Sequence, residues 1–275
     1  MIMTKTRRHI LIYTFLIILT VVFIFPFFWL FITAFKPHLV TFAIPPVWNF
    51  TPTFDNFRNV FIEGEYLTCL INSVIICTAS VAIVMIIGTP AAYAFSRYNF
   101  RGKDDLTFFI ITTRMGPSAV LVLPYYIIFD KFGLLDTHIA LIIVYVTINL
   151  GLVIWLMKSF FDEIPKDLDD AALVDGYSRF YVFLKIVFPL AKSGFVTSAI
   201  LSYIFVWNEF LYAFILTRFV AKTLPVIIPT YIGTMQLSWE LMCAAGVMTI
   251  IPVMVFALLI QKHLVRGLSW GAVKT

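Results

Sequence analysis

Few side chains in this sequence could do covalent chemistry. The four histidines, His9, His38, His138 and His263, lie at the edges of long apolar runs or outside them. The three cysteines, Cys69, Cys77 and Cys243, lie inside such runs without metal-ligand spacing or a disulfide framework, and read as buried apolar thiols. Gly116-Pro117-Ser118 offers a serine of the kind an intramembrane protease would use, but that nucleophile needs a base at the same depth and no histidine is placed to serve. No G-x-x-x-x-G-K-[ST] loop occurs, so the chain has no cradle of its own for ATP phosphates. The polar groups that remain are of a binding kind. Trp207-Asn208-Glu209-Phe210 places an aromatic plane, an amide and a carboxylate on consecutive helical positions near the end of an apolar run. Such groups grip a sugar by stacking on its apolar face and bonding its hydroxyls; interfacial anchoring and helix–helix hydrogen bonds are the alternative reading. Asn149 and Asn72, inside other runs, could line the same path or bond across helices.

A second constellation is mechanical. Between two apolar runs stands Asp170-Ala171-Ala172-Leu173-Val174-Asp175-Gly176, followed after nine residues by Ile186-Val187-Phe188-Pro189. Asp167, Asp169 and Asp170 load the first turn of a short helix, where the helix dipole favours negative charge. Ala171 and Ala172 leave a smooth face that can enter a groove on another protein, and Gly176 permits a turn a side chain would obstruct. Tyr177 to Lys185 reads as a second amphipathic helix leading to Ile186 and Pro189.

The elements that position these groups follow from the solvent. An average soluble domain is about a quarter charged, whereas these 275 residues are 13% charged and 61% hydrophobic, so the chain must face lipid. Six apolar runs, near 10–35, 69–95, 106–129, 139–157, 194–217 and 241–260, approach or exceed the ~20 residues that cross a hydrocarbon core. Backbone groups cannot stay unpaired in lipid and these runs are continuous rather than alternating, so they are helices and not barrel strands. Several carry breakers, including Pro26, Gly88, Pro90, Gly116, Pro117, Pro124, Gly151, Gly246 and Pro252, which neighbouring helices can accommodate. Arg114 falls inside the third run and is expected to snorkel to an interface or pair with a carboxylate. The apolar content of the fifth run outweighs the insertion cost of its one Glu209.

Most of the 20 Lys and Arg fall in segments 5–8, 97–103, 158–192 and 262–274. The opposite side holds Lys36, Arg58, Lys131, Arg218 and Lys222. The richer side is expected to be cytoplasmic, which puts both termini and the Asp170–Gly176 loop inside and the Lys36–Glu65 segment outside. The net charge of +5 is therefore topogenic, and no basic stripe or stacking motif points to nucleic acid. Lys5-Thr6-Arg7-Arg8 precedes an apolar stretch as in a signal peptide, but no small-x-small cleavage site follows, so the segment is expected to stay as an anchor.

The spacing of the Asp170–Pro189 segment resembles the coupling loop of membrane subunits in binding-protein-dependent ABC importers, written EAA, three residues, G, nine residues, I, one residue, L-P. Asp170 stands for the family Glu and Phe188 for Leu. Trp207-Asn208-Glu209-Phe210, Thr223-Leu224-Pro225 and the ending Val265-Arg266-Gly267-Leu268-Ser269-Trp270-Gly271-Ala272-Val273-Lys274 are similar to the second permease subunit of carbohydrate importers of the maltose-permease type. The resemblance implies an all-α membrane protein with six transmembrane helices in the type I ABC importer permease fold. It implies an anchor and external loop over 1–68, a core over 69–262 with the coupling loop at 158–192, and a cytoplasmic tail over 263–275. ATPase coupling then falls to Asp170, Ala171, Ala172, Asp175, Gly176, Ile186 and Pro189, and tail contact with the ATPases to Gly271, Ala272, Val273 and Lys274. The expected partners are a homologous permease, two ATP-binding cassette subunits, an extracytoplasmic solute-binding protein, a sugar-type substrate and membrane lipid. The chain itself would hold no cofactor and no metal, ATP and Mg residing in the partner ATPase. An ion-driven secondary transporter is the rival reading, but it would show paired repeats with midplane ionisable residues, and only Arg114 and Glu209 are candidates.

Overall fold

The computed structural model describes residues 5–231 and 238–269, which form helices joined by turns, with no strand among the described residues. The first helix, α1 (Lys5–Ala34), contains the 24-residue apolar stretch Leu11–Ala34. At about 1.5 Å per residue that is roughly 36 Å, enough to cross a ~30 Å hydrocarbon layer. Its most apolar window has no residue buried within the chain, so α1 turns its side chains to lipid or to a neighbouring subunit. Two further helices, α2 (Tyr66–Arg97) and α5 (His138–Asp162), are also long and apolar enough to span, and both are partly buried.

The third run, read as one span at 106–129, is a broken one. Its halves, α3 (Lys103–Met115) and α4 (Ser118–Lys131), meet at 92°. Gly116 is extended there (φ −64°, ψ 125°), because a residue before proline is crowded out of the helical region. Arg114 consequently sits in the turn at the break, exposed, with its guanidinium 4.9 Å from the centre of the Phe205 ring. It meets an aromatic face, and the carboxylate partner expected as one of its two fates is not seen among the described residues.

The fifth run is broken as well. An entry helix, α7 (Arg179–Leu190), bends by 77° into α8 (Lys192–Trp207), and α9 (Leu211–Leu216) follows after an interruption at Asn208–Phe210. Between α5 and α7 lies the short helix α6 (Asp167–Val174). The last helix, α10 (Trp239–Ser269), begins with the apolar stretch Trp239–Val255. Among the described residues, three unbroken helices are long and apolar enough to cross a membrane, or five spans if each bent pair counts as one.

The chain divides into two compact units, Met1–Leu67 with Ile227–Ile251 and Thr68–Val226 with Pro252–Thr275. The sequence division at 68/69 left 227–251 with the core. Long-range pairs explain its place beside the N-terminal segment: His38 Nδ1 lies 2.7 Å from Glu240 Oε1, and Leu30 packs beneath Gly246. In the same unit Asn56 donates to the carbonyls of Ala34 and Lys36, both at 2.9 Å, fastening the outer segment to the end of α1.

In the second unit, glycines set helix approach. A Cβ on Gly151 would stand 2.6 Å from the Ile110 carbonyl oxygen, and one on Gly194 would run into the Phe160 ring. Small residues therefore let α3 and α8 close on α5, as small residues do between membrane helices. Asn72 bonds across helices, donating to the Val220 and Lys222 carbonyls at 2.8 and 3.0 Å and meeting His138 Nε2 at 2.8 Å. Asp136, left-handed at φ 57°, accepts the backbone N–H groups of Arg218, Phe219, Val220 and Ala221 at 2.9–3.1 Å. Burial would raise its pKa, but these N–H donors outweigh it and hold the carboxyl below its ordinary value. The three cysteines are buried.

Candidate functional site

The coupling segment folds as its sequence suggests at both ends. Three aspartates occupy the first turn of α6. Its C-terminus is closed by Gly176 at φ 85°. Gly176 N–H donates to the Leu173 carbonyl and Tyr177 N–H to the Ala172 carbonyl, both at 3.1 Å. These are the two bonds of a Schellman motif with glycine at the left-handed position. A Cβ there would meet no atom within 4 Å, so glycine is required by the backbone conformation and not by space. Ser178 then starts α7, its Oγ accepting from Tyr181 N–H at 3.3 Å. Ile186 is half-buried within a π turn at Phe183–Val187, and exposed Pro189 follows it just before the bend into α8. A proline offers no N–H to the preceding turn, which suits the wider ladder there.

The two alanines do not share a surface. Ala171 is exposed, whereas Ala172 is buried at 6% and faces the side of α6 that packs on α7. The expectation of a smooth Ala171–Ala172 face is corrected accordingly: the helix turns about 100° per residue, and that turn carries Ala172 to the buried side while Ala171 stays exposed. Asp170, Ala171 and Asp175 form the exposed face, flanked by solvent-facing Leu168, Val174, Tyr177 and Phe180. Tyr177 stacks on Tyr181 at 4.6 Å, but Leu168, Val174 and Phe180 stay exposed beside it, the feature of a docking surface.

Beneath the helix lies a network the sequence reading missed. Asp169 is buried, and its Oδ2 lies 3.1 Å from Arg97 Nε with both side chains under a tenth exposed. The Tyr93 hydroxyl donates to Asp169 Oδ1 at 2.6 Å. Arg97 Nη1 also donates to the Phe161 carbonyl at 3.0 Å, and Ser96 donates to Asp162 at 2.6 Å. One ion pair thus joins α6 to the end of α2, and the same arginine reaches the end of α5. Tyr93 and Arg97, four residues apart, share a helix face, which was the available signal. By charge alone Arg97 counts only among the topogenic basic residues.

At the Trp207–Glu209 segment the expectation of three consecutive helical positions fails, because α8 ends at Trp207 and the chain breaks. The Trp207 ring is buried and stacked on Tyr203 at 5.9 Å, presenting no free face. Asn208 is exposed, with its Nδ2 donating to the Ile204 carbonyl at 2.8 Å. Glu209 caps α9, accepting from the Tyr212 and Ala213 N–H groups at 3.1 and 3.3 Å and from the Tyr145 hydroxyl at 2.9 Å. Asn149, one turn beyond Tyr145, is buried and donates to the Tyr145 carbonyl, while its Oδ1 has no partner. Tyr145 therefore links Glu209 and Asn149. The tail residues Gly271, Ala272, Val273 and Lys274 lie outside the described residues.

A family model described as binding-protein-dependent transport system inner membrane component matches residues 84–270. The chain belongs to this family. The permease is 39% identical over 252 residues to the trehalose transport system permease protein SugB of Mycobacterium tuberculosis, covering 90% of this chain and 92% of that one. It is 36% identical over 271 residues to the probable ABC transporter permease protein y4oR of Sinorhizobium fredii, and 33% identical over 274 to the trehalose/maltose transport system permease protein MalG of Thermococcus litoralis, each covering 98% of both chains. Its fold matches a chain in the crystal structure of a bacterial ABC transporter involved in import of the acidic polysaccharide alginate, with TM-score 0.79 and 24% identity over 95% of this permease and 99% of that chain. The ABC permease assignment displaces both rivals. His138, the histidine nearest in kind to the base a protease would need, is engaged by Asn72 at 2.8 Å.

Proposed function

We propose that this permease forms half of the translocation pathway of an ATP-driven carbohydrate importer for a di- or oligosaccharide, polyol or sugar derivative. The observation that carries the reading is α6, a capped helix with an exposed outer face seated on a buried ion pair to the spanning helix α2. A helix so tethered passes a push on its outer face into α2 through Asp169 and Arg97, and into α5 through the Phe161 carbonyl. Its own bend carries α7 into α8. The names of the trehalose and maltose relatives support the substrate class.

In this reading a homologous permease completes the pathway, two ATP-binding cassette subunits dock against Asp170, Ala171 and Asp175, and an extracytoplasmic binding protein delivers the sugar. ATP and Mg are held by the ATPases, since this chain has no phosphate-binding loop. In the same reading α6 and both termini are cytoplasmic, which the distribution of basic residues supports, and the 271–274 tail reaches the ATPases. Asn208, Glu209 and Asn149 border the sugar path, with Trp207 as a packed wall behind them. The test is uptake into vesicles holding the permease with the partners encoded beside it. Sugar uptake that needs ATP and the binding protein is expected; uptake that ignores ATP and follows an ion gradient overturns the proposal. Single cysteines at 160–190 should stay unlabelled from outside intact cells, while those in the Lys36–Glu65 segment should label.

A further inference from the structure

The first unit holds a buried cation that no carboxylate answers among the described residues. Lys36 follows the end of α1 and is 2% exposed, yet it takes part in no ion pair among the described residues. Its Nζ lies 4.5 Å from the Trp29 ring centre and 5.5 Å from that of Phe50. Aromatic faces return only part of what an ammonium loses on leaving water. The buried carboxylate of the same unit, Glu240, is engaged by His38 at 2.7 Å and does not line the space beside Lys36. That space is a cavity of about 460 Å³ walled by Trp29, Leu30, Trp239 and Met242. Thr33 also lines it, one helical turn from Lys36, and its buried hydroxyl has no hydrogen-bond partner. A cation and a hydroxyl, both desolvated and both unanswered, define a site for an anion.

The surroundings narrow the anion to one source. Trp48, packed edge-on against Trp29 at 5.2 Å, and Trp239 are both more than a third exposed. Tryptophans grouped beside a lysine at the end of a spanning helix mark the headgroup level of a membrane. From Leu11 to Phe31 α1 exposes apolar side chains with none of its apolar window buried, so hydrocarbon lies against the helix up to the cavity. We propose that the Lys36–Thr33 cavity binds the phosphate headgroup of an anionic phospholipid, whose acyl chains lie along the apolar flank of α1. The ammonium and hydroxyl donate to the phosphate oxygens, and the tryptophans cover the glycerol. This interaction holds the outer end of α1 and is separate from the coupling helix and the sugar path.

The assembled transporter, extracted from its membranes and stripped with detergent, tests this by native mass spectrometry and lipid extraction. Wild type should retain phosphatidylglycerol in preference to phosphatidylcholine. Lys36→Gln should retain about fivefold less of it, as expected for loss of one basic contact with an anionic membrane. Lys36→Arg should restore retention, and Thr33→Val should reduce it less than Lys36→Gln does. If Lys36→Gln fails to assemble, wild type in nanodiscs of phosphatidylglycerol or of phosphatidylcholine decides, with protection of α1 from exchange or proteolysis in the former only as the supporting result. Equal retention of both lipids by wild type, equal retention by wild type and Lys36→Gln, or displacement of all binding by inorganic phosphate without any lipid preference would each overturn the proposal.

Discussion

Asp169 and Glu209 are two carboxylates of the same unit, each beside a break between helices, and they are neutralised in opposite ways. Asp169 is answered by a full charge, Arg97, brought from the end of a helix 72 positions away in the chain, and by the Tyr93 hydroxyl. Glu209 forms no ion pair among the described residues and is held by peptide N–H groups three and four residues ahead of it, with Tyr145 added. The first arrangement ties three helix ends together; the second finishes one short helix. A carboxylate held by its own neighbours stabilises a local turn, whereas one held across the fold can carry force between elements. Removing each should therefore fail differently.

The largest effect is expected at the ion pair. Removing Arg97 by R97A leaves Asp169 buried and unpaired, at a cost of about 3–5 kcal/mol. Detergent-solubilised R97A should unfold at lower temperature, and in the assembled transporter ATP hydrolysis should lose its dependence on sugar-loaded binding protein. The milder Asp169→Asn removes the charge at constant shape, and full coupling with that variant would mean the pair only stabilises.

The alanines separate internal packing from docking. Ala172→Leu overfills the contact with α7 at about 1–3 kcal/mol and should lower the stability of the permease alone. Ala171→Leu should leave the isolated permease unchanged while reducing ATPase subunits recovered on purification. The reverse pattern would place Ala172 on the partner and break the assignment of faces.

Gly176→Val forces a β-branched residue into the left-handed region at about 1–2 kcal/mol, with no steric clash added. Gly176→Asn, which tolerates that conformation, should recover most of the coupled ATPase activity. Equal defects in both variants would shift the role of Gly176 from conformation to contact.

Glu209→Gln keeps an acceptor oxygen and should cost about 1 kcal/mol, the scale of a helix cap, with insertion and assembly intact. A large loss of sugar uptake at unchanged thermal stability would move Glu209 from capping to the sugar path. Asp136 offers the smallest and cleanest comparison, since it too is held by backbone donors. Its carboxyl pKa is lowered in the folded state. The stabilisation is thus complete above the ordinary carboxylate value of about 4 and is lost as pH falls through the depressed one. Thermal unfolding of Asp136→Asn should match wild type more closely as the pH is lowered, and a gap that stays constant down to pH 3, about one unit below that value, would refute the linkage.

Local chemistry decided what could be read without coordinates. Long apolar runs must become helices because lipid offers no partner for peptide groups, and the short helix before Gly176 ends where a left-handed residue can close its last carbonyls. Proline 117 broke the third run for an equally local reason, although the size of the bend depended on how α3 and α4 pack. The inward turn of Ala172, the covering of Trp207 and the pairing of Arg97 with Asp169 were settled only by helices distant in sequence meeting in space. So was the setting of Lys36, whose charge was plain in the sequence but which is seen to lack a counter-ion among the described residues only when its surroundings are in place. Helix formation and capping are energies of residues within about four positions. The answer to a buried charge comes from whichever element the tertiary fold carries past it.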